Sequence, residues 1–566
     1  MTEAISVPDT SPARTVVDLL RYWAEEDGDR LAVAFVDDPE LPEPAVSLSY
    51  RELDRAARRT AVLLGARVRP GERVLVVSQD GPDFLTAFLG CLYAGAVAVP
   101  APAPGGNRYQ AERLARIVSD AEPSAMLGTT RLLPGMRELT TSPCLVTDGP
   151  EEVDAGSWRR PRIADGTTAM IQYTSGSTRD PVGVLLSHAN IVANAEALLA
   201  DLGPGSTGRF GGWTPLYHDM GLAIALQPLL FGGTSVLMAP MTFLKRPYTW
   251  LRLIDRYRLE MSAGPDFAYR MCTAKITDEQ IDGLDLSSWR WALNGAEPVN
   301  PVTLRAFAAR FGRAGLGEGT LTPVYGLAEA TVYVSGAGGN PPVFRTVDAR
   351  SLEAGKFVLT DDPAEGYELA CCGWPKAFDL RIADHATGLP LEAGRVGEIQ
   401  LRGASVGAGY WRAGPNRTED GYLRTGDLGV RHEGELYVLG RTADALDDGD
   451  RVLLPQRLET EIRAELGAQV ETGVAVQGDG TEIVILQEVR GRPDQAELRA
   501  IVTAVRRRLW LALTVQPAQV VLVRRGAILR TTSNKIRRGA TRELYRAGRL
   551  DPLYSDRRPL PALALV

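Results

Sequence analysis

Through the first three quarters of the chain, short apolar runs alternate with stretches whose apolar side chains recur every three or four positions. Residues 74–77, 235–238 and 290–294 read as strands, and 303–311 reads as a helix with Leu304, Phe307 and Phe311 on one face. Alternation of this kind predicts an α/β domain built on mainly parallel sheets. Residues 84–102 carry no charge, and their length approaches the ~20 residues of a membrane-spanning helix. Gly90, Gly95 and Pro100 interrupt that run, and it follows another apolar run at 73–78. The reading is therefore a strand, a buried helix and a second strand of one βαβ unit, with no membrane span. The proline-rich 100–104 reads as a loop or linker.

The pattern changes near Gly440. A helix with Leu458, Ile462 and Leu466 on one face, a strand at 482–489, a helix at 496–509 and a strand at 519–523 form a small α+β unit. The polar stretch 442–450, with Asp444, Asp447, Asp448, Gly449 and Asp450, suits an exposed hinge. A chain of 566 residues is too long for one hydrophobic core. We expect a large N-terminal α/β domain over 1–440 and a small, mobile C-terminal α+β lid over 441–566.

Composition narrows the class but does not choose a function. Hydrophobic residues make up 45% and charged residues 23%, and the net charge is −7, so the chain lacks the basic footprint of a nucleic-acid binder. The five cysteines (Cys91, Cys144, Cys272, Cys371, Cys372) are odd in number and show no metal-ligand spacing. A disulfide framework is not expected, and the vicinal pair reads as two buried small residues. Residues 1–12 bring acids and prolines where a signal peptide would be basic and then apolar. The expected location is the cytoplasm.

Candidate chemistry begins at Tyr173-Thr174-Ser175-Gly176-Ser177-Thr178-Arg179-Asp180-Pro181, which follows an apolar run at 169–173. A strand leading into a Gly/Ser/Thr loop offers backbone N–H groups and hydroxyls to one point, as polyphosphates require. The loop differs from the GxxxxGK[ST] NTPase pattern, and a plain surface loop fits these residue types equally well.

Six further segments stand in order downstream: Trp213–Gly221 (WTPLYHDMG), Asn294–Val299 (NGAEPV), Tyr325–Thr331 (YGLAEAT), Leu423–Asp427 (LRTGD), Gly440-Arg441, and Thr531–Arg538 (TTSNKIRR). Together with the loop they resemble the adenylate-forming superfamily of acyl-CoA synthetases, luciferases and peptide-synthetase adenylation domains. QYTSGST, PLYHDMGL, NGAEPV and YGLAEAT are most similar to fatty acyl-AMP ligases. The resemblance spans 172–538 and implies that ATP and Mg²⁺ activate a fatty acid as its acyl-adenylate with release of pyrophosphate.

Each segment also makes chemical sense. Glu329 offers a carboxylate for Mg²⁺, which takes one or two carboxylates plus phosphate oxygens. Tyr325 offers a face on which adenine can stack, and Gly326, Leu327 and Ala328 share its turn. Asp427 can accept from both ribose hydroxyls, with Arg441 a charged donor beside it. Asn294, Gly295 and Ala296 close a strand where an adenine edge could be read. His218 is one of four histidines; the resemblance places it beside the acyl carboxylate, gating the acyl pocket. Lys535 is one of five lysines among 63 basic residues. A compact ammonium can bridge the attacking carboxylate and the α-phosphate, and the resemblance makes Lys535 the catalytic lysine. Taken alone, each of these residues also fits an ordinary structural role.

Between Thr331 and Gly373 lie 41 residues. An added segment here, about 341–370, is typical of fatty acyl-AMP ligases. The resemblance implies that it restrains the lid, disfavours coenzyme A, and leaves the acyl group for the phosphopantetheine thiol of a separate acyl carrier protein, in lipid or natural-product assembly. Four positions depart from the family pattern: Val182 for lysine in the loop, Ala443 at the hinge, Gly449-Asp450 in the loop after it, and Asn534 before Lys535. They keep open a degenerate or specialised enzyme, and two other readings stand beside the ligase: an acyl- or aryl-CoA synthetase, and a non-catalytic acyl- or nucleotide-binding relative, which Val182 and Ala443 motivate.

Overall fold

The computed structural model describes residues 15–558, apart from 42, 79–80, 106–107, 150–152, 175–180, 204–205, 207, 363–365 and 531–535. Two large sheets organise the body. The seven-stranded sheet has, across its width, Gly409–Tyr410, Gly183–Ser187, Thr168–Tyr173, Val97–Pro102, Arg73–Ser78, Ala125–Gly128 and Cys144–Val146. The eight-stranded sheet runs Tyr333–Gly336, Leu321–Gly326, Trp291–Asn294, Met261–Gly264, Arg209–Gly212, Thr234–Leu237, Leu31–Phe35 and Val46–Ser49. Its interior pairs are parallel, and its two edge pairs are antiparallel. Parallel strands must bury both faces. Their short Val/Ala/Leu runs accordingly sit between helices, in a core to which both sheets contribute.

The uncharged run at 84–102 is the predicted strand–helix–strand, with one correction. The helix Pro82–Tyr93 is buried from Phe84 to Tyr93. Residues 100–102 are not a loop: they finish the strand Val97–Pro102 inside the sheet, paired with Arg73–Ser78 through Val76↔Pro100 and Ser78↔Pro102. Proline lacks the ladder N–H and is normally excluded from central strands. Here pairing to Thr168–Tyr173 is confined to Ala98↔Met170, so both prolines fall beyond the ladder on that side. Among the described residues, no helix is long and apolar enough to cross a membrane.

A four-stranded antiparallel sheet follows: Asp379–Ala383, Gly397–Arg402, Leu423–His432 and Glu435–Arg441. Between it and the eight-stranded sheet lies the hairpin Phe344–Asp348/Gly366–Ala370 with the short helix Ala349–Glu353. Past Arg441 come the helix Pro455–Leu466 and a four-stranded sheet, Val470–Gln477, Ile483–Val489, Gln519–Val523 and Pro552–Arg557. The helix Gln495–Leu513 packs on this sheet through Leu498, Ile501, Val502, Val505 and Leu509. Asp494 caps it: its carboxylate accepts from the N–H of Ala496 and Glu497 at 2.8 and 2.9 Å.

Candidate active site

The site residues lie where strands of the large sheets end, the crevice in which open α/β sheets hold ligands. Tyr325 is the penultimate residue of Leu321–Gly326, and Asn294 is the last of the adjacent parallel strand, two residues short of Tyr325 in register (Asn294↔Pro323). After Gly326 the chain turns back through Val332. A Cβ on Gly326 would sit 1.9 Å from the Val332 carbonyl oxygen, so only glycine fits. That turn, Ala328–Ala330, presents Glu329.

The contact with the antiparallel sheet is direct. Asp427 lies in Leu423–His432 opposite Arg441, and Arg441 Nε is 3.0 Å from Asp427 Oδ1. The hydroxyl of buried Tyr325 donates to Asp427 Oδ2 at 2.8 Å. One carboxylate thus ties two sheets, with each oxygen holding one partner. Burial pushes the Asp427 carboxyl above its usual range, while Arg441 and the Tyr325 hydroxyl pull it back. Asp427, and then Glu329, raise Arg441 against its own desolvation. Arg441 also favours ionised Glu329, so Tyr325, Asp427, Arg441 and Glu329 form one electrostatic group.

Glu329 accepts from the Tyr410 hydroxyl at 2.9 Å, and its backbone carbonyl accepts from Gly407 N–H at 2.9 Å. It borders a small cleft with Tyr410, Asn416 and Arg417. Burial raises its carboxyl, and among the described residues no ion pair neutralises it. A half-buried carboxylate with no direct ion pair, near Arg441 but not bonded to it, fits Mg²⁺, whose remaining ligands would be phosphate oxygens and water. Among the described residues no group of three or more His, Cys, Asp or Glu could hold a metal.

The segment around His218 is tied to the predicted phosphate loop. Gln172, on the strand that enters the loop, donates from Nε2 to the Tyr217 carbonyl at 2.9 Å. Buried His218 precedes the helix Asp219–Leu226, with its ring 4.7 Å from that of Tyr217. At the base of the loop, Thr174 N–H donates to the Val182 carbonyl at 3.0 Å, and Arg113 holds the carbonyls of Tyr173 and Thr174 at 3.2 Å. Ser175, Gly176, Ser177 and Thr178 lie outside the described residues, as does Lys535. On either side of the undescribed 531–535, Arg537 N–H donates to the Leu529 carbonyl at 2.8 Å.

Asn294 is fully buried. Its Nδ2 donates to Asp266 at 3.3 Å, and Asp266 also accepts from Thr303 and from the Asn300 backbone. The next residues leave the strand by a strained route: Ala296 has φ +67°, in the left-handed region that a side chain disfavours. The sequence reading missed Tyr410, Asp266 and Gln172, because ordinary Tyr, Asp and Gln acquire meaning only from what the fold sets beside them. It also missed Glu353. This acid, in the helix Ala349–Glu353, has a side chain only 6% exposed; Arg451 Nη1 lies 3.0 Å from it, and Arg457 hydrogen-bonds its other oxygen. Segment 341–370 is thereby bonded to the C-terminal unit.

Similarity to known proteins agrees with this geometry. A family profile described as AMP-binding enzyme matches residues 20–411. The chain is 35% identical to 4-hydroxyphenylalkanoate adenylyltransferase of Mycobacterium bovis, over 94% of this chain and 91% of that protein. It is also 35% identical to the medium-chain-fatty-acid–[acyl-carrier-protein] ligase JamA of Moorena producens, over 95% and 96%. Among solved structures, a fatty acyl-adenylate ligase from a study of the E. coli and L. pneumophila enzymes superposes with a TM-score of 0.85 at 28% identity, over 95% and 99% of the chains. The chain belongs to the AMP-binding enzyme family and groups there with the fatty acyl-AMP ligases.

Proposed function

We propose that this enzyme uses ATP and Mg²⁺ to convert a fatty acid to its acyl-adenylate, releasing pyrophosphate, and then passes the acyl group to the phosphopantetheine thiol of a separate acyl carrier protein. The observation that carries the reading is the Tyr325–Asp427–Arg441 contact, with Glu329 one turn away at the strand ends. Tyr325 gives adenine a face, Asp427 accepts from the ribose, and Arg441 offers a charged donor towards the α-phosphate. Asn294, Gly295 and Ala296 read the adenine edge. Thr174, Ser175, Gly176, Ser177 and Thr178 hold the outer phosphates. Glu329 would hold Mg²⁺, which would offset phosphate charge as pyrophosphate departs.

His218 sits at the mouth of the acyl pocket. The carboxylate attacks the α-phosphorus directly, and Lys535 stabilises the charge that develops between them, so no covalent enzyme intermediate is needed. Lys535 comes from the C-terminal unit 441–566, which closes on 1–440 as a lid.

Two observations support the carrier as acceptor. JamA is named as an acyl-carrier-protein ligase, and Glu353 of segment 341–370 pairs with Arg451 and Arg457 of the C-terminal unit, a tie that we read as the restraint on the lid that disfavours coenzyme A. Acylated product is measured with coenzyme A and with a holo-carrier offered side by side. Faster loading of the carrier is expected; equal or faster acylation of coenzyme A would overturn the acceptor assignment.

A further inference from the structure

Residues 520–558 carry eleven basic and three acidic side chains, in a chain whose net charge is −7. The fold gathers Arg524, Arg525 and Arg549 from this stretch, with Arg490 and Arg492 from outside it, at one end of the C-terminal sheet. Ile483–Val489 and Gln519–Val523 run parallel in the register Glu488↔Val523. Pro552–Arg557 pairs antiparallel through Val523↔Pro552. Arg490, Arg492, Arg524, Arg525 and Arg549 therefore leave the sheet at the same end. Leu550 packs on the cluster containing Val523 and Ile528, which draws Arg549 in. Arg490 is paired with Glu471 at 3.2 Å. Arg492, Arg524, Arg525 and Arg549 are exposed and have no ion pair among the described residues. Of the acids nearby, Asp494 is committed to capping its own helix, and Asp551 stands two residues after Arg549.

The turn at 524–528 is hydrogen-bonded to the sheet and precedes Lys535 in the chain. Buried Glu488 accepts from Gly526 and Ile528 N–H at 2.8 and 3.0 Å, which fixes the turn of Arg524 and Arg525. The next residue, Leu529, donates its N–H to Thr541 Oγ1 at 3.2 Å. Solvation alone does not call for four guanidinium groups without ion pairs at one end of a sheet, because like charges repel. A complementary acidic surface would be steered to them and oriented by them.

We propose that this arginine rim, Arg492, Arg524, Arg525 and Arg549, is the docking surface for an acidic helical face of the carrier protein. The inference rests on the carrier being the acceptor. Adenylation does not involve the rim, so the two half-reactions separate the effects. The test compares wild type with Arg524→Glu/Arg525→Glu/Arg549→Glu, and with the same positions changed to Gln. Acid-dependent ATP–pyrophosphate exchange should be unchanged in both, reporting an intact fold.

The kcat/KM for carrier loading should fall by about tenfold or more in the Glu variant and less in the Gln variant, and its salt dependence should flatten. A carrier with acidic residues changed to Lys should load better with the Glu variant than the native carrier does. Native loading by both variants would overturn the rim while leaving the acceptor reading intact. A wild type that acylates coenzyme A but no carrier would overturn both. Loss of binding to phosphatidylglycerol-containing vesicles with carrier loading unchanged would assign the rim to a membrane surface and also overturn the proposal.

Discussion

Removing the Glu353 carboxylate is the most informative perturbation outside the nucleotide site. Glu353 is the helix residue through which segment 341–370 holds Arg451 and Arg457, and Tyr367 of the same segment lies 5.8 Å below the Arg457 guanidinium. Leu454 and Ala445 pack on the cluster of Val347, Leu352 and Phe357 beside it. Burial pushes the Glu353 carboxyl up, and the two arginines bring it back. The pair is therefore worth having only while it is complete.

Taking one partner out of a buried ion pair costs about 3–5 kcal/mol, because the remaining charges stay desolvated. In Glu353→Ala, Arg451 keeps Asp448 at 3.1 Å, but Arg457 loses its carboxylate and can reach water if the C-terminal unit lifts, so the loss should appear as lid release. If about 3 kcal/mol of the penalty bears on the docked state, the undocked population rises about a hundredfold. Hydrogen exchange should quicken in residues 349–353 and in the helix Pro455–Leu466, proteolysis should increase within 442–450, and coenzyme A should gain as acceptor. Arg457→Met should give a smaller change in the same direction, since Arg451 remains. Unaltered exchange protection in Glu353→Ala would refute the claim that this pair holds the lid.

Three further outcomes follow from the site and core. Asp427→Asn should raise the ATP KM by about ten- to a hundredfold, as expected for losing charged hydrogen bonds of roughly 1.5–3 kcal/mol, and steady-state exchange kinetics check this; an unchanged KM would remove Asp427 from the ribose site. Gly326→Ala should destabilise the fold or displace the Glu329 turn, because its Cβ would meet the Val332 carbonyl; a normal melting temperature with normal activity would contradict the geometry. Burial holds His188 at about 4, below the ~6.5 of an unfolded histidine. The unfolded chain therefore binds the proton first, and stability should fall as pH drops from about 6.5 towards 4, by up to about 3 kcal/mol. Denaturant titrations should show that slope in wild type and a shallower one in His188→Gln.

Much of this architecture was legible because local and global signals agree. The strand at 74–77, the helix over 303–311, and the C-terminal helices at 455–466 and 495–513 with the strands at 483–489 and 519–523 announce themselves by periodicity, whereas the strands Val470–Gln477 and Pro552–Arg557 were not read from the sequence. The strand Val97–Pro102 did not announce itself, since Pro100 and Pro102 read as breakers until the ladder beside them is seen to end. The same boundary holds for the site. Tyr325, Glu329, Asp427 and Arg441 sit in short motifs whose wording carries information. The acid that Tyr410 supports, the amide that Asp266 holds and the arginines that Glu353 joins are separated by 81, 28 and about a hundred residues. No window of sequence shows such contacts; only the packing does.

The central claim, activation of a fatty acid as its adenylate, is tested most directly by acid-dependent ATP–pyrophosphate exchange. Fatty acids of increasing length and 4-hydroxyphenylalkanoates would be offered to the wild type and to Lys535→Ala. Exchange should require the acid, be strongest with a fatty acid, and collapse in the variant. ATP binding with no exchange for any acid would contradict it.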